Sequence, residues 1–246
     1  MGLAVLAGLC ACATVDQGAG VSDGFLAKWA PHALPGLPGE PAWHHQTFPG
    51  KEPTRYSSRE HGGRPALEAD ANASASVVRK HVHIAPSELA GLQFSWWVPE
   101  LLSGADLAVR SQADASARLI LAFDGDRSRF SAKDAALSEL ARALTGEEMP
   151  YATLIYVWSN QHPVGSIIPS TRTSRIRKLV VESGPGGLGR WRDYRRDVRA
   201  DFEQVFGEPP GPLIAVGLMT DADNTRGSTR AWYGPVQFMP TLAAKH

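Results

Sequence analysis

A chain of 246 residues with 25 basic and 25 acidic side chains has no formal net charge, which removes the overall field that nucleic-acid binding would need. Its 43% hydrophobic residues are enough to fill one large β domain or two small ones. Both cysteines, Cys10 and Cys12, lie at the extreme N-terminus, so disulfides and cysteine metal sites are excluded from the rest of the chain.

The first segment, from Leu3 to Cys12, is short, apolar and rich in small residues. Its end, Leu9-Cys10-Ala11-Cys12, resembles a bacterial lipobox. That reading makes residues 1–11 a lipoprotein-type signal peptide and Cys12 the first mature residue, carrying acyl chains. It places the protein in the periplasm or cell envelope, touching the membrane through the lipid anchor only. No Lys or Arg precedes the apolar run, which departs from the usual signal, and the run is too short to span a bilayer. Residues 12–42 read as a tether and a surface segment. Asp16 to Gly24 is small and polar, and Pro31, Pro35, Pro38 and Pro41 with Gly36 and Gly39 forbid a central strand or helix.

Residues 43–240 read as one β-sandwich domain of nine or ten strands. Thr54-Arg55-Tyr56-Ser57 gives a strand, Gly62-Gly63 a turn, and Pro65 to Ala69 the returning strand. The run from Val77 to Ile84 is strand-like with mixed faces, whereas Leu92, Phe94, Trp96 and Val98 alternate onto one face. Further strands follow over 118–123, 152–158, 176–181, 213–219 and 231–238. Two helices interrupt them. Ser131 caps the first, Ala136, Leu137, Leu140, Ala141 and Leu144 form its apolar stripe, and Gly146 ends it. Asp197 begins the second, Val198, Phe202, Val205 and Phe206 share a face, and Gly207 stops it. The helices do not alternate regularly with strands, so a doubly wound α/β fold is excluded. The expected fold is mainly β: an antiparallel jelly-roll-like β-sandwich with two short helices.

The apolar run from Leu213 to Met219 breaks into Thr220-Asp221-Ala222-Asp223-Asn224-Thr225. A strand that leaves the core and delivers oxygen groups at its end is a common way to build a site. Asp221, Asp223, Asn224 and Thr225 can bind a polar ligand such as a sugar, Asp221 and Asp223 can hold Ca²⁺, or the set can satisfy its own backbone in an Asx-turn. Strand parity sends Trp96 and Trp158 to the core and leaves Trp97, on the opposite phase, as the candidate for stacking on a sugar ring. Arg118 lies within a strand, where a buried guanidinium needs a carboxylate; Asp114, Glu182 and Asp221 are the candidates. From Arg172 to Arg199, nine basic residues (172, 175, 177, 178, 190, 192, 195, 196 and 199) face Glu182, Asp193 and Asp197. Such a run is either a solvated face or an anion-recognition surface. His81 and His83 share a strand face but lack a third metal ligand of evident spacing.

A set of segments spread along the chain has a familiar arrangement. They are Phe48-Pro49-Gly50-Lys51, Thr54-Arg55-Tyr56, Phe94-Ser95-Trp96, Pro150 to Leu154, Val180 to Gly184, Met219 to Thr225, and Tyr233-Gly234. On these the chain resembles a family of secreted bacterial proteins called domain of unknown function 3047. The resemblance implies a jelly-roll sandwich similar to the galactose-binding superfamily, a fold used mostly for carbohydrate binding. Three positions depart from the family's pattern: Pro235 stands where an Asp usually follows Tyr-Gly, Trp97 replaces a polar or basic residue, and Asp114 alone stands for an acid pair.

The sequence contains no G-x-S-x-G, no H-E-x-x-H and no phosphate loop. The reading is therefore a lipid-anchored sandwich that binds a polar ligand, such as a cell-envelope glycan, without chemistry of its own. The site would comprise Asp221, Asp223, Asn224, Thr225, Trp97 and Arg118. The alternatives are a glycan hydrolase using Asp221 or Asp223 as acid, and a structural lipoprotein serving protein partners only.

Overall fold

Alternating apolar residues bounded by Gly and Pro fold here into two stacked sheets. The structure is a computed structural model and describes residues 24, 26, 28–34, 42–89 and 91–239. Among these, thirteen strands and two α-helices follow in chain order: β1 (His44–Thr47), β2 (Arg55–His61), β3 (Arg64–Asn72), β4 (Ala75–Ile84), β5 (Gly91–Trp97), β6 (Ala115–Phe123), α1 (Ala132–Thr145), β7 (Ala152–Ser159), β8 (Ile167–Pro169), β9 (Ile176–Ser183), β10 (Arg192–Asp197), α2 (Val198–Phe206), β11 (Leu213–Asp221), β12 (Ser228–Tyr233) and β13 (Gln237–Phe238). A seven-stranded sheet runs β1-β4-β11-β6-β7-β9-β8. The second runs β10-β5-β12-β3-β2, with β13 paired to β5. The chain crosses repeatedly between the sheets, which gives the jelly-roll-like sandwich that the strand pattern and the two isolated helices called for.

Strand parity decides what each sheet buries. Ala117, Leu119, Leu121 and Phe123 of β6, with Leu154, Tyr156 and Trp158 of β7, point between the sheets and meet Phe94 and Trp96 of β5. The alternate residues Ile120, Ile155, Val157 and Val180 form a second apolar layer on the outer side of the seven-stranded sheet. Leu26, Trp29, Ala33 and Leu34, within the stretch read as tether and surface segment, also pack into the main core, and Trp29 is fully buried. The signal segment and Cys12 lie outside the described residues.

Several differences from the expectation have local causes. One pairing is parallel, β7 with β9, because β8 crosses to the sheet edge and β9 returns between the two. Strands β1, β8 and β10 lack a legible pattern: β8 has three residues, and β10 reads Arg-Asp-Tyr-Arg-Arg-Asp. The expected strand over 231–238 is broken at Gly234, whose close approach to Ser95 leaves no room for a Cβ. Both helix stops are as read: Gly146 and Gly207 adopt φ of 77° and 72°, and the Ser131 and Asp197 side chains accept from backbone N–H groups as N-caps. Part of the apolar stripe of α1 faces away from the core, however. Leu140 is 54% exposed while Asp134 and Ser138 are buried. The cause is polar, because the Asp134 carboxylate accepts from the hydroxyls of Ser131, Thr173 and Ser174 and turns that side inward.

Candidate functional site

The outward side of β6, β9 and β11 carries Arg118, Lys178, Met219 and Asp221, and these form part of the floor of a cleft of about 570 Å³. Three loops raise its walls: Phe48 to Lys51, Leu107 to Ala113, and Ser170 to Arg172. A second hollow of about 310 Å³ adjoins it on the same sheet face, sharing Phe48 and lined by Val77, Arg79, Ile120, Gly217 and Glu147. Together they make a groove whose floor sets apolar side chains beside Arg118, Lys178 and Asp221 and whose loops add further charge, a mixture of apolar surface and a few placed polar groups common to small-molecule sites.

Asp221 is 4% exposed and meets Arg118 in a fork: Nε donates to Oδ1 at 2.8 Å and Nη2 to Oδ2 at 2.9 Å. The Ala115 N–H adds a bond at 3.0 Å to Oδ1. Burial pushes the Asp221 carboxyl up to about 6, opposed by Arg118 and reinforced by the neighbouring charge of Asp114. Asp223 pairs with Lys51 from the β1–β2 loop. Asn224 also lines the cleft, whereas Thr225 does not. Both bind Asp114, whose Oδ1 accepts from Asn224 Nδ2 at 2.6 Å and whose Oδ2 accepts from the Thr225 N–H at 2.7 Å and Oγ1 at 2.8 Å. The polar run after β11 is thus a turn tied to a distant carboxylate, with Asp221, Asp223 and Asn224 facing the cleft.

Asp114, Asp221 and Asp223 bring carboxylate oxygens within 4.8 Å of one another, and among the described residues this is the one group with metal-ligand geometry. The donors already present satisfy it. Arg118 occupies both oxygens of Asp221, Asn224 and Thr225 occupy those of Asp114, and Lys51 holds Asp223, so Ca²⁺ would have to displace protein cations. The same occupancy bears on hydrolysis. The acid pair of a glycosidase flanks the bond it cleaves, whereas these carboxylates cluster within 4.8 Å of one another.

Trp97 is a correction. It lies in β5, in the other sheet, and does not line the cleft. Its ring meets the edge of His61 at 4.7 Å and Trp191 at 6.1 Å, and the His61 ring stacks on Trp232 at 3.9 Å. Parity correctly placed Trp97 outside the core, but neighbouring side chains cover it. His44 and His81 stack at 5.7 Å beside Glu147, and His83 is exposed.

Lys178 was visible only as one member of the basic run. Its side chain is 7% exposed and donates to the Leu107 carbonyl at 3.1 Å. Burial, helped by the Arg118 charge and opposed by Asp221, lowers its ammonium to about 8. Phe48 and Lys51 reach the cleft through the Phe-Pro-Gly-Lys turn, and Arg110 through a short 3₁₀ turn.

Fold and site define a β-sandwich with a charged cleft on the outer face of one sheet. The chain belongs to the family described as "Protein of unknown function (DUF3047)", which it matches over residues 41–237. No match was found among curated proteins. Among solved structures the chain is similar to the xyloglucanase domain of NopAA, a type three effector from Sinorhizobium fredii, in complex with cellobiose. That likeness has 9% identity and a TM-score of 0.43, covering 82% of this chain and 94% of the other. It is also similar to a family 11 carbohydrate-binding module from Clostridium thermocellum in complex with a β-1,3-1,4-mixed-linked tetrasaccharide, at 10% identity and a TM-score of 0.40 over 85% and 93% of the two chains. Endoglucanase 3 of Trichoderma harzianum, from family GH12, gives 8% identity and a TM-score of 0.43 over 81% and 95%. Identity this low leaves those saccharides with those proteins.

Proposed function

We propose that this protein binds a polar saccharide of the cell envelope in the cleft on the seven-stranded sheet, without chemistry of its own. The observation that carries the reading is the cleft itself. Its volume of about 570 Å³ accommodates a sugar unit or two, and its floor sets Ile155, Ile176 and Met219 beside the charged Arg118, Lys178 and Asp221. Half-buried Phe48 supplies an aromatic face where the two hollows meet. Export and anchoring belong to the same proposal: residues 1–11 direct the chain outward and lipidated Cys12 holds it to the membrane.

Calorimetric titration with a panel of envelope and plant oligosaccharides tests the site. Met219→Trp fills the floor and is expected to abolish binding, whereas Trp97→Ala, in the opposite sheet, leaves it unchanged. Binding that survives Met219→Trp and disappears with Trp97→Ala would overturn the assignment. Labelling with an alkyne fatty acid, lost in Cys12→Ala, tests the anchor.

A further inference from the structure

We infer that the ligand of this cleft is anionic, a saccharide bearing a carboxylate or phosphate that Lys178, Arg110 and Arg172 hold together. The inference rests on the saccharide reading above and adds the charge of the ligand to it. Five cations line the cleft: Lys51, Arg110, Arg118, Arg172 and Lys178. Counting Asp114 behind the wall, three carboxylates answer them, and these are already committed. Asp221 is forked by Arg118, Asp223 is paired with Lys51, and Asp114 is consumed by the turn. Lys178, Arg110 and Arg172 remain without a carboxylate partner among the described residues.

Lys178 is the telling member of the three. Its ammonium has three N–H donors, and its protein hydrogen bond is the one to Leu107. A buried ammonium with donors unspent is costly unless an acceptor arrives. Facing it are Arg118 from β6, which repels it, and Asp221 from β11, whose oxygens Arg118 already holds. Arg110 and Arg172 are exposed and come from separate loops, β5–β6 and β8–β9. Two guanidinium forks on the walls above a buried ammonium match an oxyanion, and a neutral sugar would leave that charge uncompensated. Lys178 and Arg172 both belong to the basic run of the sequence, so that run is split between solvated positions and this cleft.

The test is calorimetric titration of the full chain with three probes: an oligogalacturonate, a cello-oligosaccharide of equal length, and glucose 6-phosphate. Each is run at low and high salt. An oxyanion probe is expected to bind, with affinity falling as salt rises; the oligogalacturonate and phosphate arms separate carboxylate from phosphate. Lys178→Met and Arg172→Gln should each weaken that binding by about tenfold or more. Arg172 lies on an exposed loop, so its variant remains informative even where Lys178→Met alters folding. Salt-independent binding of the cello-oligosaccharide, equal to or tighter than the acidic probes, overturns the charge inference and leaves the saccharide reading standing. Failure of all three probes overturns both.

Discussion

Arg118 and Asp221 show what a buried pair costs and what it does. Both side chains are almost wholly buried, and the fork between them joins β6 to the end of β11. Removing one partner strands a charge in the interior, so Arg118→Met or Asp221→Asn is expected to destabilise the fold by about 3–5 kcal/mol in urea unfolding. The double change should recover a large part of that loss. Simple additivity of the two would show that the pair does not act as a unit. A carboxylate partner for Arg118 was readable in the sequence, because a strand Arg flanked by apolar residues has no other stable environment. The fate of Trp97 was not readable, since parity gives the side of a strand and says nothing about the side chains of the neighbouring strands. The tie that holds Asn224 and Thr225 was not readable for a related reason. Their partner, Asp114, lies 110 residues away or more.

Elements with local signals were the most legible. Helix caps are short-range devices, so Ser131, Gly146, Asp197 and Gly207 marked their helices correctly. Strand β10 was hidden because its inward residue is Tyr194, which stacks on Phe94 at 4.9 Å and donates through its hydroxyl to Glu182 at 2.8 Å, between charged neighbours whose heads reach solvent. The burial of α1 went wrong because a carboxylate, not the leucines, anchors it. Asp134→Ala would leave the buried Thr173 hydroxyl without its acceptor and remove the carboxylate that accepts from the Ser131 hydroxyl, while the backbone cap bond stays. That predicts a loss of about 1–3 kcal/mol and a fall of several degrees in melting temperature. Leu140→Ala, on the exposed face of the same helix, should change stability by no more than about 0.5 kcal/mol.

At the scale of the molecule, pH should limit stability from both ends. Burial raises the Glu208 carboxyl, but Arg175 and Tyr151 outweigh it and hold the group below its ordinary value. Asp134 is likewise lowered, its hydroxyl donors overcoming burial. A carboxylate depressed in the folded state lends stability that is present above its unfolded pKa and lost as pH falls, so acid unfolding should set in below about pH 4. At the alkaline end, burial raises Tyr56, Tyr156, Tyr194 and Tyr233. Their contribution is intact below about pH 10 and is lost as the unfolded phenols ionise above it. Lys178 runs the other way, since lowering to about 8 makes stability rise between there and its unfolded value. Melting curves from pH 3 to 12 check all three limbs, and a flat profile above pH 10 would contradict the tyrosine assignment.

The cleft has no local origin. Lys51 reaches Asp223 across 172 positions and Arg118 reaches Asp221 across 103. Its loops lie between β1 and β2, β5 and β6, and β8 and β9. No short fragment of the chain therefore carries the whole of it, and the complete site waits on the folding of the sandwich. Pairing at such separations is slow to form. Capture of the ligand would then report completion of the whole sandwich, giving a natural readout of when the protein has matured.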